Sequence, residues 1–150
     1  MNKALLAVGT FLSLCFLIFG GVVYFTRDEN TYAVDATLSE AISKAIAEAE
    51  GGPDPVDLRV LTDFDFDKVL IFPPGTPKAK VDKALGFEFM GELRYTAESS
   101  EIFVFTNRGH FVRFADYRGR ATWTGLTRPL DYLTANDAVF KVREATVRPA

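Results

Sequence analysis

The chain has 150 residues, enough for one domain and not comfortably for two. Its apolar share of 48% and charged share of 25% are those of ordinary globular proteins, which excludes wholesale disorder, a collagen-like fibre and a coiled-coil rod. A formal charge of −3 excludes a generically polycationic nucleic-acid binder, one Cys excludes an intrachain disulfide, and one His thins the options for metal and acid–base chemistry.

After Met1-Asn2-Lys3 the chain runs from Ala4 to Phe25 without a charge. As a helix this stretch would measure about 33 Å, enough to cross the hydrocarbon core of a bilayer. It ends on Tyr24-Phe25, aromatics suited to the interface, followed by Arg27, Asp28 and Glu29. A cleaved signal peptide would have a shorter apolar core and a small-x-small site directly after it. Here the nearest such sites, Thr31-Tyr32-Ala33 and Val34-Asp35-Ala36, lie well past the end of the run. Lipidation at Cys15 would need a small residue before it, and Leu14 stands there. Residues 1–25 are therefore expected to be an uncleaved, single-pass signal-anchor. With Lys3 ahead of the span and Arg27 offset by two acids, the N-terminus is expected in the cytoplasm and the remainder outside it. Gly9 and Ser13 form a small-xxx-small pair that could seat a partner helix.

Residues 26–36 are polar and aperiodic, a linker in front of a domain expected over 37–150. Thr37-Leu38-Ser39-Glu40 has the form of a capping box, and Leu38, Ala41, Ile42, Ala45, Ile46 and Ala49 follow at helical spacing. A helix is expected over about 38–50, stopped by Gly51-Gly52-Pro53. Val56 to Leu61 reads as a short strand, and Lys68–Phe72 as a stronger one that Pro73-Pro74-Gly75 terminates. Thr76 is expected to cap a second helix with Pro77 at its first position and Gly86 past its end. Phe87 to Tyr95 is ambiguous. Glu101–Thr106 reads as a central strand with apolar residues on both faces. The Asn107-Arg108-Gly109 turn then returns the chain into a strand over His110–Phe114. Ala138, Phe140 and Val142 alternate with Val139, Lys141 and Arg143 in a last strand with one polar face. The expected fold is α+β, two helices with a mostly antiparallel sheet.

Asp63-Phe64-Asp65-Phe66-Asp67 invites a calcium-loop reading, but the sixth and twelfth positions hold Lys68 and Pro74 where such a loop needs Gly and Glu. The alternative is a strand entry with both Phe side chains inward and the acids outward. His110 stands alone, and no nucleophile elbow, P-loop, zinc-protease or dinucleotide motif is present. No enzymatic activity, metal or cofactor is expected. The enzyme alternative would require a concave pocket holding His110 or a close carboxylate pair with shifted pKa values.

Charge is unevenly spread. Residues 26–67 carry eleven acids against three bases, a net of −8, whereas residues 68–150 carry a net of +4. Within the basic half, Arg108, Arg113, Arg118, Arg120 and Arg128 are interleaved with Phe111, Phe114, Tyr117 and Trp123. Arg with aromatic residues is the composition of interface hot spots. Arg108, His110, Arg113, Tyr117, Arg118, Arg120 and Trp123 are the candidate binding residues. The partner expected for them is a protein or an envelope component, not nucleic acid. The opposing expectation, which the composition favours, is that the acidic half folds against the basic half and the charges satisfy each other.

The stretch Phe64-Asp65-Phe66-Asp67-Lys68 leading into Val69-Leu70-Ile71-Phe72 and Pro73-Pro74 resembles a motif of small bacterial membrane-anchored envelope proteins, in which an Asp-aromatic-Asp-Lys segment enters an apolar strand and a Pro turn. Phe66 replaces the Trp of that pattern and Gly75 an aromatic. The helix that follows, to Leu85-Gly86, looks like that of small outer-membrane-assembly lipoproteins with a helix-plus-sheet fold. The resemblance implies a bacterial, membrane-tethered protein of the cell envelope, and it brings no catalytic residues.

Overall fold

The computed structural model describes residues 33–91, 100–125 and 132–150, all within one compact unit, 32–150. The apolar run 4–25 and most of the expected linker lie outside the described residues. Among those residues no helix is long and apolar enough to cross a membrane.

In chain order the elements are α1 (Ala36–Ala49), β1 (Val56–Asp57), a single helical turn α2 (Leu58–Leu61), β2 (Lys68–Phe72), α3 (Lys78–Leu85), β3 (Ile102–Asn107), β4 (His110–Asp116), β5 (Thr122–Trp123), β6 (Tyr132–Thr134), β7 (Val139–Arg143) and β8 (Thr146–Pro149). The class is α+β, and the described residues form three helices where two were expected and two sheets instead of one. One sheet runs β4-β3-β2-β6 and is wholly antiparallel. The other runs β1-β7-β8-β5, and its β5–β8 pair is parallel.

The first sheet is buried on both sides, which is why β2 and β3 read as unbroken apolar runs. Val69 and Ile71 of β2, with Phe103 and Phe105 of β3, face a core shared with α1 (Leu38, Ile42, Ile46) and with Phe140, Val142 and Val147 of the second sheet. Leu70, Phe72, Ile102 and Val104 face the opposite way, onto Val81 of α3, Phe89 and Phe114. Phe89, in the ambiguous stretch, belongs to no strand and is fully buried.

Several local expectations need correction. The N-cap of α1 is Asp35, whose Oδ1 accepts the Leu38 N–H at 2.9 Å, so Thr37 of the expected capping box sits inside the first turn. Val34 packs into the core and the Asp35 N–H donates to the Phe114 carbonyl, so the fold begins before residue 37 and takes the end of the expected linker. Thr76 does not cap α3: its hydroxyl donates to the Pro73 carbonyl at 2.6 Å, and Pro77 is the N-cap without a side-chain bond. Gly86 ends that helix with φ +78°, a conformation glycine adopts without strain. Of Val56–Leu61 only the first two residues are strand. Asp57 caps the helical turn that follows, accepting the Arg59 N–H at 2.9 Å.

The hairpin turn after β3 consists of Arg108 (φ 52°) and Gly109 (φ 79°), and Asn107 is the last strand residue rather than a turn residue. A second two-residue hairpin, between β7 and β8, was not legible, because Glu144 (φ 51°) and Ala145 (φ 54°) adopt left-handed conformations without glycine or asparagine. Such backbone costs an L-residue roughly 1 kcal/mol. The double variant Glu144→Asn, Ala145→Gly is therefore expected to be more stable by roughly 1 kcal/mol, seen as a higher urea midpoint at unchanged slope.

α1 covers the open edge of β4. The Asp35 N–H donates to the Phe114 carbonyl at 2.9 Å. Ser39 Oγ accepts the Asp116 N–H at 3.0 Å, and Ser43 Oγ accepts the Arg118 N–H at 2.9 Å. Each serine donates one turn back along the helix, to the Asp35 and Ser39 carbonyls, at 2.7 Å in both cases.

Candidate functional site

The Asp63–Asp67 segment links α2 to β2. Phe66 is buried and sets its ring edge-on to Phe105, with centroids 5.0 Å apart, and Phe64 does the same at 5.4 Å. Asp63 and Asp65 are exposed. Asp67 turns back into the fold: its Oδ2 accepts the Arg108 N–H at 2.8 Å, and its backbone bonds Thr106 and Ala135. The inward Phe, outward Asp expectation thus holds for four of the five residues. Among the described residues no three His, Cys, Asp or Glu side chains converge as a metal site would require.

An open hollow of about 560 Å³ lies over this segment, lined by Arg59, Thr62, Asp63, Phe64, Asp65, Phe66 and Ala135. Arg59 is held at its wall by a fork onto Asp57 (Nη2 to Oδ2 2.6 Å) and by Asn136 (3.1 Å). The Arg113 guanidinium lies over the Phe64 ring, 5.1 Å from its centroid, a cation–π arrangement. It pairs with Asp35 at 2.7 Å and approaches Asp63 at 3.8 Å.

A β-bulge aims Arg113 at this place. Phe105 pairs with Arg113 and Thr106 with Phe111, so Val112 is the extra residue. It sends Phe111 to the α3 side of the sheet and Arg113 to the α1 side, although the two are two residues apart.

The other expected binding residues do not share one face. Arg108 and His110 are exposed at the tip of the β3–β4 hairpin, whereas Arg118 and Arg120 follow the far end of β4; seven residues of strand separate the two groups by about 20 Å. Arg118 Nε bonds both carboxylate oxygens of Asp116 at 3.1 Å. Tyr117 must be removed from any exposed surface, and Trp123 is half-buried against the core. Tyr117 is 3% exposed, and its hydroxyl accepts the Ala121 N–H at 3.1 Å. A Cβ at Gly119 would collide with that hydroxyl, so the loop after β4 closes around the ring only because residue 119 is glycine. The Trp123 indole stacks edge-on with Phe103, Tyr117 and Phe140. The packing that buries Tyr117 and half-buries Trp123, both expected as contact residues, comes from the core between the two sheets.

Charge pairing between the acidic and basic halves holds for Arg113, whose partners Asp35 and Asp63 lie in the N-terminal half. Arg118 pairs within the basic half, with Asp116 two residues away. Burial pushes the Asp35 carboxyl up, but the Leu38 N–H, the Arg113 guanidinium and the Thr37 N–H outweigh it and hold the group below its ordinary value. A carboxyl lowered by folding contributes stability above its unfolded pKa of about 3.9, and that contribution is lost as pH falls through the folded value. Asp35→Asn retains a good N-cap and loses the ion pair. It is expected to melt a few degrees below the wild type at pH 7, for a pair worth about 0.5–1 kcal/mol. The gap should narrow as pH falls through the lowered folded value of the Asp35 carboxyl and close only once the wild-type group is itself protonated.

His110 does not line the hollow. Among the described residues the carboxyl raised by burial is Glu101, which stands just before β3 and is likewise not among the lining residues. No family model, curated protein or solved structure matches the chain.

Proposed function

We propose that the chain is a single-pass, membrane-tethered binding module whose α+β domain lies outside the cytoplasm and contacts a protein or envelope component without catalysing a reaction. The tether is the uncharged run 4–25, with its interfacial aromatics and its following acids. One observation carries the binding role: Phe64 stands half-buried at an open hollow, with Arg113 laid against its ring and Asp63 and Asp65 exposed beside it. An aromatic anchor flanked by arginine and rimmed by charge is the arrangement in which interfaces concentrate their binding energy. The site of contact is thus narrower than the 108–123 segment and draws only Arg113 from it. The kinship to bacterial membrane-anchored envelope proteins belongs to the same proposal.

A reporter active only outside the cytoplasm, fused to Ala150, should be active on a chain that keeps its N-terminal residue. A photoreactive side chain at position 64 should give a discrete adduct in cells, and one at Lys80 on α3 should not. An inactive reporter returns the domain to the cytoplasm, and equal adducts at both positions remove the hollow as the contact site. If the anchor helix were instead the main interaction element, exchanging residues 4–25 for an unrelated span would abolish the adduct.

A further inference from the structure

The β7–β8 hairpin departs from two local rules at once. Its turn uses two non-glycine residues at positive φ, and its register sets Lys141 directly opposite Arg148. Like charges facing each other across a strand pair are destabilising. The alternation that buries Phe140, Val142 and Val147 turns Lys141, Arg143, Thr146 and Arg148 to the outer face of the sheet, and the three cations are exposed. Among the described residues none of these cations is in an ion pair. Arg143 and Arg148 line two adjoining hollows of about 260 and 290 Å³. Asp54 lines the first and Glu144 the second, so the face keeps a positive excess after both acids are counted. Neither hollow shares a lining residue with the one over Phe64. Breaches of local rules without internal compensation are expected where a surface serves a partner.

We infer that this face of the second sheet docks on the anionic phosphate headgroups of the membrane in which the chain is anchored. The inference rests on the anchor reading given above. Val34 already packs into the core, and the eight residues 26–33 that join it to Phe25 can span at most about 28 Å. The domain therefore cannot leave the headgroup region by more than about its own diameter, and a bilayer is the polyanion always within reach. Each cation at an anionic surface should raise the ratio of docked to free domain about fivefold at low salt, the two acids offset part of the gain of the three, and 0.5 M salt should abolish it.

The test uses the full chain with Cys15→Ser and a fluorescent label on a single new thiol, in vesicles that carry a headgroup-bound quencher. The label is placed at Thr122→Cys, whose residue pairs with Thr146 beside Arg143, or at Lys80→Cys on α3. Quenching at position 122 is expected in phosphatidylglycerol-containing vesicles and not in pure phosphatidylcholine. Position 80 should stay unquenched in both. Arg148→Ser should weaken docking about fivefold, and the triple change Lys141→Ser, Arg143→Ser, Arg148→Ser should abolish it with a melting temperature no lower than that of the wild type. Equal quenching in the two vesicle types, or quenching retained by the triple variant, overturns the inference. So does a label that responds to soluble polyphosphate but not to anionic vesicles, which would replace lipid by a soluble polyanion. Flotation with phosphatidylcholine vesicles after a high-salt wash reports the anchor separately. If the chain fails to float, the anchor reading falls. The face is then tested by adding the chain to phosphatidylglycerol vesicles from solution: salt-sensitive quenching at 122, absent from the triple variant, supports it, and none overturns it.

Discussion

Trp123→Ala is expected to cost about 3–5 kcal/mol, a large part of the stability a domain of this size possesses. The indole stands between the two sheets. Its ring meets Phe103 of β3 at 5.1 Å, Phe140 of β7 at 5.1 Å and Tyr117 at 5.5 Å, each edge-on. Aromatic pairs in that geometry add to the value of the area they bury. Truncation removes contacts from both sheets at once, and the cavity left behind cannot collapse without moving a strand of one of them. Its own strand offers little to hold the gap closed, since β5 is two residues long and pairs only with Thr146 and Val147. A fall in melting temperature of roughly 10–20 °C follows for about 120 residues. Trp123→Phe should cost less than about 1.5 kcal/mol, because a smaller ring keeps the edge contacts and removes an indole N–H that is buried without an acceptor among the described residues. Urea unfolding of the two variants decides the matter. A loss below 1 kcal/mol for the alanine variant would return Trp123 to the surface, as the sequence alone suggested.

What the sequence conveyed depended on whether a signal was local. β2 was legible to the residue, because a five-residue apolar run bounded by Asp67 and by Pro73-Pro74 has no other comfortable conformation. The α1 periodicity and its glycine stop were legible for the same reason. The N-cap was misplaced by two residues because Thr37 and Asp35 are both good caps, and the choice was made by Arg113, 78 positions away in the chain. The second sheet was legible only in pieces: β7 and the head of β1 read as isolated strands, but β5 has two residues, too few for any period, and β8 follows a turn that lacks turn residues. Without β5 and β8 to join those pieces into a sheet, Trp123 and Tyr117 had nothing to be buried against and read as surface aromatics. The site was half legible. The Asp-Phe alternation announced the loop, whereas the approach of Arg113 to Phe64 depends on one inserted residue in β4, which no spacing rule in the sequence marks.

Ser39→Ala is expected to cost about 1–3 kcal/mol although it removes one oxygen atom, and Ser43→Ala less than about 0.5 kcal/mol. Both serines present Oγ to a backbone N–H beside the edge of β4, and the match is one of periods. Four residues of helix rise about 6 Å and two residues of strand about 6.7 Å, so positions 35, 39 and 43 of the helix keep step with 114, 116 and 118 of the chain opposite. The two sites differ in access to water. Asp116 is 3% exposed and Ser39 fully buried, so the Asp116 N–H loses its acceptor and finds no water in its place. Arg118 is exposed, and solvent can replace Ser43. In the double variant the outer edge of β4 offers unpaired groups to another chain, the arrangement that leads sheets to add strands. Its apparent mass should therefore rise with concentration more steeply than that of the wild type, in addition to the loss of stability. Equal and small losses at both serines would mean that α1 is held by Leu38, Ile42 and Ile46 alone, and that the hydrogen bonds to β4 merely accompany that packing.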